Sequence, residues 1–414
     1  MSESRFYLPR FEAMPPEQWS AYQDDLVRRT ITYAAAHVPE VQQRLAAAGL
    51  RAEDIHGVAD LAAIPLLDKD NLPALQAANP PFGGMLAVPV EQLKRIYMSP
   101  GPILDPEGDR PDYWRWAAAF WAAGFRRGDI VINTFAYHFT PAGAMFDSAL
   151  RALGCVVVPT GPGNTEWQLD VLAQTQAVGY VGTPDFLKIL LEKAAERGIT
   201  TGLRRAYVSA APLPPSLRAW LAEQGVATFQ GYGTADVGAI GYECEAQDGW
   251  HIAPDIVVEI VDPESGQPLP AGEKGEVVVT RADTAYPLVR FATGDLSAFH
   301  TEPCTCGRTT PRLVGFLGRV GEAVKVRGMF VRPRQIARAL EGFPVARFQA
   351  VISRAEHRDT LTVRVEPHPN ATLDTDAIAA TLRETLKLRA DVVVVPHGTL
   401  HEESPLLVDE RTWE

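Results

Sequence analysis

The sequence predicts an α/β protein of two unequal domains, and three textures along the chain predict it. Between about residues 114 and 197, short apolar runs alternate with helix-like stretches. From about residue 250, strand-like runs follow one another. The last hundred residues mix both kinds on a smaller scale. Repeated strand–helix units are the mark of doubly wound α/β layers. Taking the elements in order, residues 15–49 read as helix, with Trp19, Leu26, Val27, Val41 and Leu45 at helical spacing. Trp114 to Ala123 is a helix rich in Trp and Ala. Asp129 to Ile132 is a short apolar strand, Ala142 to Leu153 a helix, and Cys155 to Pro159 a buried strand. Gln168 to Gln176 is helix, Gly179 to Gly182 strand, and Pro184 to Arg197 helix again. Val257 to Val261 and Gly275 to Thr280 are strands, with Gly266 and Pro268 punctuating the turn between them. Near the end, Val324 to Val326 reads as strand and Pro333 to Leu340 as helix. Phe348 to Ile352 pairs with Leu361 to Glu366, and a helix from Thr375 to Leu388 precedes a strand at Val392 to Val395. We therefore expect a large N-terminal domain, residues 1–317, with doubly wound α/β layers plus a β-rich subdomain. A small α+β C-terminal domain, residues 318–414, should follow.

Composition narrows the function. A chain of 414 residues with 46% apolar residues can bury a large core. A net charge of −12 argues against nucleic acid or an anionic membrane as partner. No apolar run is long enough to span a bilayer, and the first residues lack a secretory core. Four cysteines in so long a chain make no disulfide framework, so a reducing cytoplasm is the expected compartment.

Two strings carry chemistry. Residues 231–238 read Gly-Tyr-Gly-Thr-Ala-Asp-Val-Gly, and 289–296 read Val-Arg-Phe-Ala-Thr-Gly-Asp-Leu. Each sets a carboxylate among glycines and a hydroxyl, where backbone can approach a ligand closely. Asp295 could accept hydrogen bonds from two ribose hydroxyls, and Asp236 could hold a hard cation beside phosphates. Either string alone also suits a surface turn. A third pattern gathers cysteines and histidine: Cys244, His251 and the pair Cys304-x-Cys306. Thiolate and imidazole are the ligands zinc prefers, and four close a tetrahedral structural site. Small buried thiols are the plainer reading, and His300 competes with His251 as the fourth ligand.

The order of further strings carries a resemblance. Gly318-Arg319-Val320-Gly321-Glu322 follows Asp295, then Lys325-Val326-Arg327-Gly328, then Val331 to Ile336. Upstream, Asp68-Lys69-Asp70 follows Ile64-Pro65, and Asn133 to Tyr137 sits where an aromatic loop is expected. Thr160 to Glu166 resembles "S-G-G-N-T-E", and Ala210-Ala211-Pro212-Leu213 resembles "G-A-E-P". The succession resembles the adenylate-forming enzymes, and within them the phenylacetate–coenzyme A ligase family, over nearly the whole chain. The resemblance implies ATP or AMP, magnesium and coenzyme A as ligands. It implies a small, aromatic carboxylic acid as substrate and a homodimer as the oligomer. It implies that Tyr232, Gly233, Ala210, Ala211 and Pro212 hold the nucleotide. Thr234 and Asp236 face phosphates and metal, and Asp295 and Arg319 contact the ribose. Arg327 and Gly328 line the coenzyme A tunnel, a hinge lies at Gly321, and a similar Cys…His…Cys-x-Cys set binds zinc. Phe135, Tyr137, His138 and Phe139 are candidates for the acyl pocket, with core packing as the competing role. Lys325, Arg327, Arg332 and Arg334 form a basic cluster that also suits a solvated face.

Two departures stand out. Where relatives have a loop like "S-S-G-T-T-G-K-P", this chain reads Tyr97 to Pro106, with prolines at 100, 102 and 106, no lysine, and Asp105. Proline donates no backbone hydrogen bond, and Asp105 has the wrong sign for a triphosphate. Relatives also carry a lysine near the C-terminus, whereas no lysine follows Lys387 here. The expected function is an AMP-forming acid–coenzyme A ligase. The alternatives are an impaired homologue that binds nucleotide, acyl-adenylate or acyl-coenzyme A, or one that keeps only the thioester half.

Overall fold

The computed structural model describes residues 4–320, 324–326, 329–355, 358–369, 371–401 and 404–411. It divides into two compact units, Met1–Gly318 and Arg319–Glu414.

An eight-stranded sheet organises the first unit. Its order is Arg312–Leu313, Trp250–Ile252, Gly238–Tyr242, Ala227–Thr234, Arg205–Val208, Gly179–Gly182, Ile130–Asn133, Val156–Pro159. The last five strands run parallel and the first three join antiparallel. Helices Ala142–Ala152, Thr165–Thr175, Pro184–Glu196 and Pro215–Glu223 provide the crossovers that parallel pairing requires. A four-stranded sheet follows, in the order Leu67–Asp68, Leu288–Ser297, Gly275–Arg281, Ile256–Val261. Among the described residues no helix is long and apolar enough to cross a membrane.

Several elements differ from the expectation, for local reasons. The N-terminal helical stretch is two helices, Pro16–His37 and Pro39–Ala47, because Val38 precedes a proline and is extended. The Trp-rich helix begins only at Ala117. Asp112 caps it by accepting from the Trp116 and Ala117 amides at 2.9 and 3.1 Å, and Arg115 before it has φ 63°. Val156–Pro159 is not a buried strand: it ends the sheet, and Val156 is 55% exposed.

The parallel half packs an aromatic core of Trp116, Phe120, Phe146 and Tyr207, mostly edge to face at 4.8–6.2 Å. This core explains two glycines. A Cβ at Gly231 would collide with the Tyr207 hydroxyl, and one at Gly233 with Trp116 and with the Gly238 carbonyl. These glycines therefore let the Tyr207 and Trp116 side chains approach the strand closely.

The N-terminal segment is fastened by a buried charge cluster. Arg308 donates to Glu12 at 2.8 Å, and the Tyr242 hydroxyl donates to the same Glu12 oxygen at 3.2 Å. Glu12 is fully buried. Arg308→Met should strand that carboxylate and cost about 3–5 kcal/mol, read as a lower urea midpoint. A midpoint within error of wild type would show that the cluster contributes nothing.

The second unit is a four-stranded sheet, Asp391–Val394, Arg358–Pro367, Val345–Ala355, Leu407–Asp409, with helices Pro333–Leu340 and Thr375–Leu386 and a hairpin of Val324–Val326 with Met329–Val331. Phe348 pairs with Val365 in the long central hairpin. The strand Leu407–Asp409 was not foreseen. It runs parallel to Ala350–Ile352 and completes the sheet edge.

Candidate nucleotide site and metal centre

Parallel strands leave their C-terminal ends along one edge, where ligands bind in open α/β sheets. Three such ends carry predicted site residues: Ile130–Asn133 leads into Phe135–Phe139, Arg205–Val208 into Ala210–Pro212, and Ala227–Thr234 into Asp236. The Ser209 hydroxyl donates to the Gly231 carbonyl at 2.9 Å and ties the second loop to the third strand. Ala210 has φ 66° there, a left-handed conformation that turns the chain sharply.

Strand alternation sends Tyr232 to the face opposite Gly231 and Gly233. Its ring stacks on Trp250 at 5.4 Å and 19°. Its hydroxyl donates to Asp295 at 2.9 Å and lies 3.2 Å from the Thr293 hydroxyl. Asp295 is buried, and its amide donates to Thr293 at 3.2 Å. Thr234 accepts from the Val237 amide at 3.1 Å, closing the turn that holds Asp236. The structure thus brings Tyr232, Gly233, Thr234, Asp236 and Asp295 together.

Asp236 has a partner that motif reading did not assign. The Lys69 ammonium lies 2.5 Å from it, with the lysine side chain 23% exposed and the carboxylate buried. Lys69 arrives there because Leu67–Asp68 pairs in parallel with Phe291 and Ala292. The signal was present in the string Asp68-Lys69-Asp70, but only the sheet shows what the lysine touches.

The aromatic loop divides. Phe135 is buried edge to face against Phe146 at 4.9 Å. Tyr137 accepts from Asn133 at 2.9 Å and donates to Asp147 at 3.4 Å. His138 and Phe139 are exposed, so these four side chains do not line one enclosed space. Arg319 opens the second unit and is half-buried. Gly321, Glu322, Arg327 and Gly328 lie outside the described residues.

The stretch with three prolines is a hairpin. Strands Leu93–Ser99 and Ile103–Gly108 pair across a tight turn at 100–102. On its inner face Glu107 bonds the Tyr97 hydroxyl at 3.0 Å and Arg95 at 3.1 Å. Asp105 is 1% exposed, and neither of its oxygens makes a hydrogen bond of full geometry. Burial, and next the charge of Asp236, push its carboxyl well above the usual range.

Elsewhere in this unit Cys244, His251, Cys304 and Cys306 converge. Their ligand atoms all lie within 4.8 Å of one another. Cys244 and Cys304 sulfurs are 3.6 Å apart, and Cys306 Sγ is 3.4 Å from His251 Nε2. These are near the edges, roughly 3.3–3.8 Å, of a tetrahedron built on ordinary zinc bonds. Thr310 holds His251 Nδ1 at 2.9 Å and so aims Nε2 at the thiols. His300 is outside the group, 3.7 Å from Asp248 instead.

Comparison with known proteins gives the class first. A family model for the AMP-binding enzymes matches residues 113–285, and one for the AMP-binding enzyme C-terminal domain matches residues 328–407. A solved structure of 2-hydroxyisobutyryl-CoA ligase, in complex with 2-HIB-AMP and CoA, superimposes with a TM-score of 0.77. The match covers 99% of this chain and 94% of that one at 24% identity, which shows the adenylate-forming fold. Phenylacetate-coenzyme A ligase of Thermus thermophilus is 32% identical over 87% of this chain and 84% of its own length. That of Aromatoleum evansii is 30% identical over 92% and 90%. The chain belongs to the phenylacetate–coenzyme A ligase family.

Proposed function

We propose that the chain is an AMP-forming acid–coenzyme A ligase of the cytoplasm. A carboxylate attacks the α-phosphate of ATP to give acyl-adenylate and pyrophosphate. The coenzyme A thiol then displaces AMP and leaves the acyl group as a thioester. The observation that carries the reading is that the end of one strand of the large sheet meets the four-stranded sheet through two contacts, Tyr232 with Asp295 and Asp236 with Lys69, in a member of this family. In this reading Asp295 receives the ribose hydroxyls, with Arg319 beside the sugar and Tyr232 under the base. The Ala210–Pro212 loop and Gly233 approach the nucleotide, and Thr234 faces the phosphates. A bound magnesium would rest on Asp236 and offset phosphate charge. Arg327 and Gly328 take the coenzyme A end. The acid is small and aromatic, by analogy with the named relatives. Asp295→Ala should weaken AMP binding by about 1–3 kcal/mol in calorimetry. Unchanged affinity would remove Asp295 from the site.

The altered hairpin favours a second reading in which adenylation is weak. Supplied acyl-adenylate would then yield thioester faster than the same acid with ATP. A pyrophosphate-release screen over aryl and alkyl acids, run beside a thioester assay, decides between the two.

We also propose that Cys244, His251, Cys304 and Cys306 hold a structural zinc. The four ligand atoms fit its size and chemistry and leave no position open. Freshly purified, untagged protein should contain one zinc per chain by elemental analysis, and metal-free folded protein would end the proposal.

A further inference from the structure

We propose that Trp250 and Gly241 are positioning residues for the nucleotide. Together they fix the Tyr232 ring, and through its hydroxyl the Asp295 carboxylate, where base and ribose are received. The proposal rests on the nucleotide reading of Tyr232 and Asp295 and deepens it. Three neighbouring strands of the large sheet, Ala227–Thr234, Gly238–Tyr242 and Trp250–Ile252, carry it. Tyr232 pairs with Gly241, and Gly241 pairs in turn with Ile252. Residues directly opposite one another share a face, as do residues two apart on one strand. Tyr232, Gly241 and Trp250 therefore lie on the same face, with the glycine between the two aromatic residues.

That glycine decides the contact. Strands separated by a third lie roughly 9–10 Å apart, yet the Tyr232 and Trp250 rings stack with centroids 5.4 Å apart. They lean together over Gly241, which has no side chain to hold them off. A Cβ there would come within 2.9 Å of the Trp250 Cβ and push the indole away. Trp250 is buried and Tyr232 half-buried, so the core holds the indole and the indole covers one side of the Tyr232 ring. At its other end the Tyr232 hydroxyl donates to Asp295 at 2.9 Å. A ring held by its face and by its tip has little freedom left to lose when a base stacks on it, and binding is stronger for that. Trp250 acts on the nucleotide only through Tyr232.

The test is calorimetric titration of full-length protein with AMP. Trp250→Leu should weaken binding by about 3–10-fold, the scale of one lost aromatic pair. Trp250→Phe should recover most of that loss. Gly241→Ala, which adds one methyl group between the rings and alters neither, should weaken binding in the same direction, and it keeps the test open if the leucine variant does not fold. A double-mutant cycle separates positioning from general packing. In a Tyr232→Leu background, Trp250→Leu should cause no further loss of affinity, whereas a purely structural role would cost as much in either background. Wild-type affinity in Trp250→Leu or in Gly241→Ala, or an undiminished loss in the Tyr232→Leu background, would each overturn the proposal. If the wild-type protein binds AMP while these variants match it, the positioning role alone falls. If the wild-type protein binds no AMP, the nucleotide reading falls and takes this role with it.

Discussion

Lys69→Met should reduce pyrophosphate release with the best acid by about 10²–10³-fold, while AMP affinity stays within a few-fold of wild type. The magnitude is that of removing one preorganised charge from a developing oxyanion, roughly 3–4 kcal/mol. The selectivity follows from position. Lys69 sits on Asp236, which the proposed function assigns to the phosphate end, whereas it assigns AMP recognition to Tyr232 and Asp295, joined by a hydrogen bond of 2.9 Å. Neither the hairpin strand pair Leu93–Ser99 and Ile103–Gly108 nor any residue after 387 supplies a second lysine except Lys94. Lys94 lies 4.0 Å from Glu107 and is engaged there. Lys69→Arg should recover part of the rate, because it restores charge but not the compact ammonium. Pyrophosphate release by Lys69→Met at the wild-type rate would assign the charge to another cation.

The second large effect concerns the proposed zinc site. Cys306→Ser, or prolonged chelation, should abolish the cooperative thermal transition of the first unit or lower its midpoint by more than ten degrees or so. Structural zinc sites contribute on the order of 10 kcal/mol to the folding of small modules, and part of that is at stake here. The centre joins distant parts of the chain. Cys306 accepts from the Arg308 amide at 3.3 Å, and Arg308 is the residue that clasps Glu12. Losing the metal should therefore also release the N-terminal segment, and limited proteolysis near residue 14 would report it. A variant with an unchanged transition and an uncut N-terminus would show that the four ligands are ordinary buried thiols and a core histidine.

Much of this was legible in the sequence because the relevant signals are local. Strand–helix alternation gave the layers, and the cysteines and histidine singled out along the chain do converge in the fold, with ligand atoms within 4.8 Å of one another. Helix limits shifted where a single residue controls the backbone, as at Pro39 and at Asp112. What stayed hidden depends on contacts between distant segments. Lys69 and Asp236 are 167 positions apart, and no periodicity links them. That the glycines at 231 and 233 also make room for Tyr207 and Trp116 could not be read from the string. Phe139 has the composition of a pocket residue, yet it is 79% exposed. Asp105 could be read only as a wrong-sign charge, since its burial is a property of the folded hairpin.

The pleat of Ala227–Thr234 has an evolutionary consequence. Neighbouring residues on this strand answer to different neighbours: Gly231 and Gly233 to the Trp116 and Tyr207 rings, Tyr232 to Trp250, Thr293 and Asp295. Changes in ring size behind the strand and changes in polar groups before it therefore draw on separate sets of positions. A lineage could enlarge or shrink the aromatic side by substituting Trp116 or Tyr207 while the Tyr232–Asp295 pair is inherited intact. Repacking of the buried core and change at the Tyr232–Asp295 pair would then seldom oppose each other. The glycines are the hinge of that independence, because a side chain at either position would force the two faces to change together.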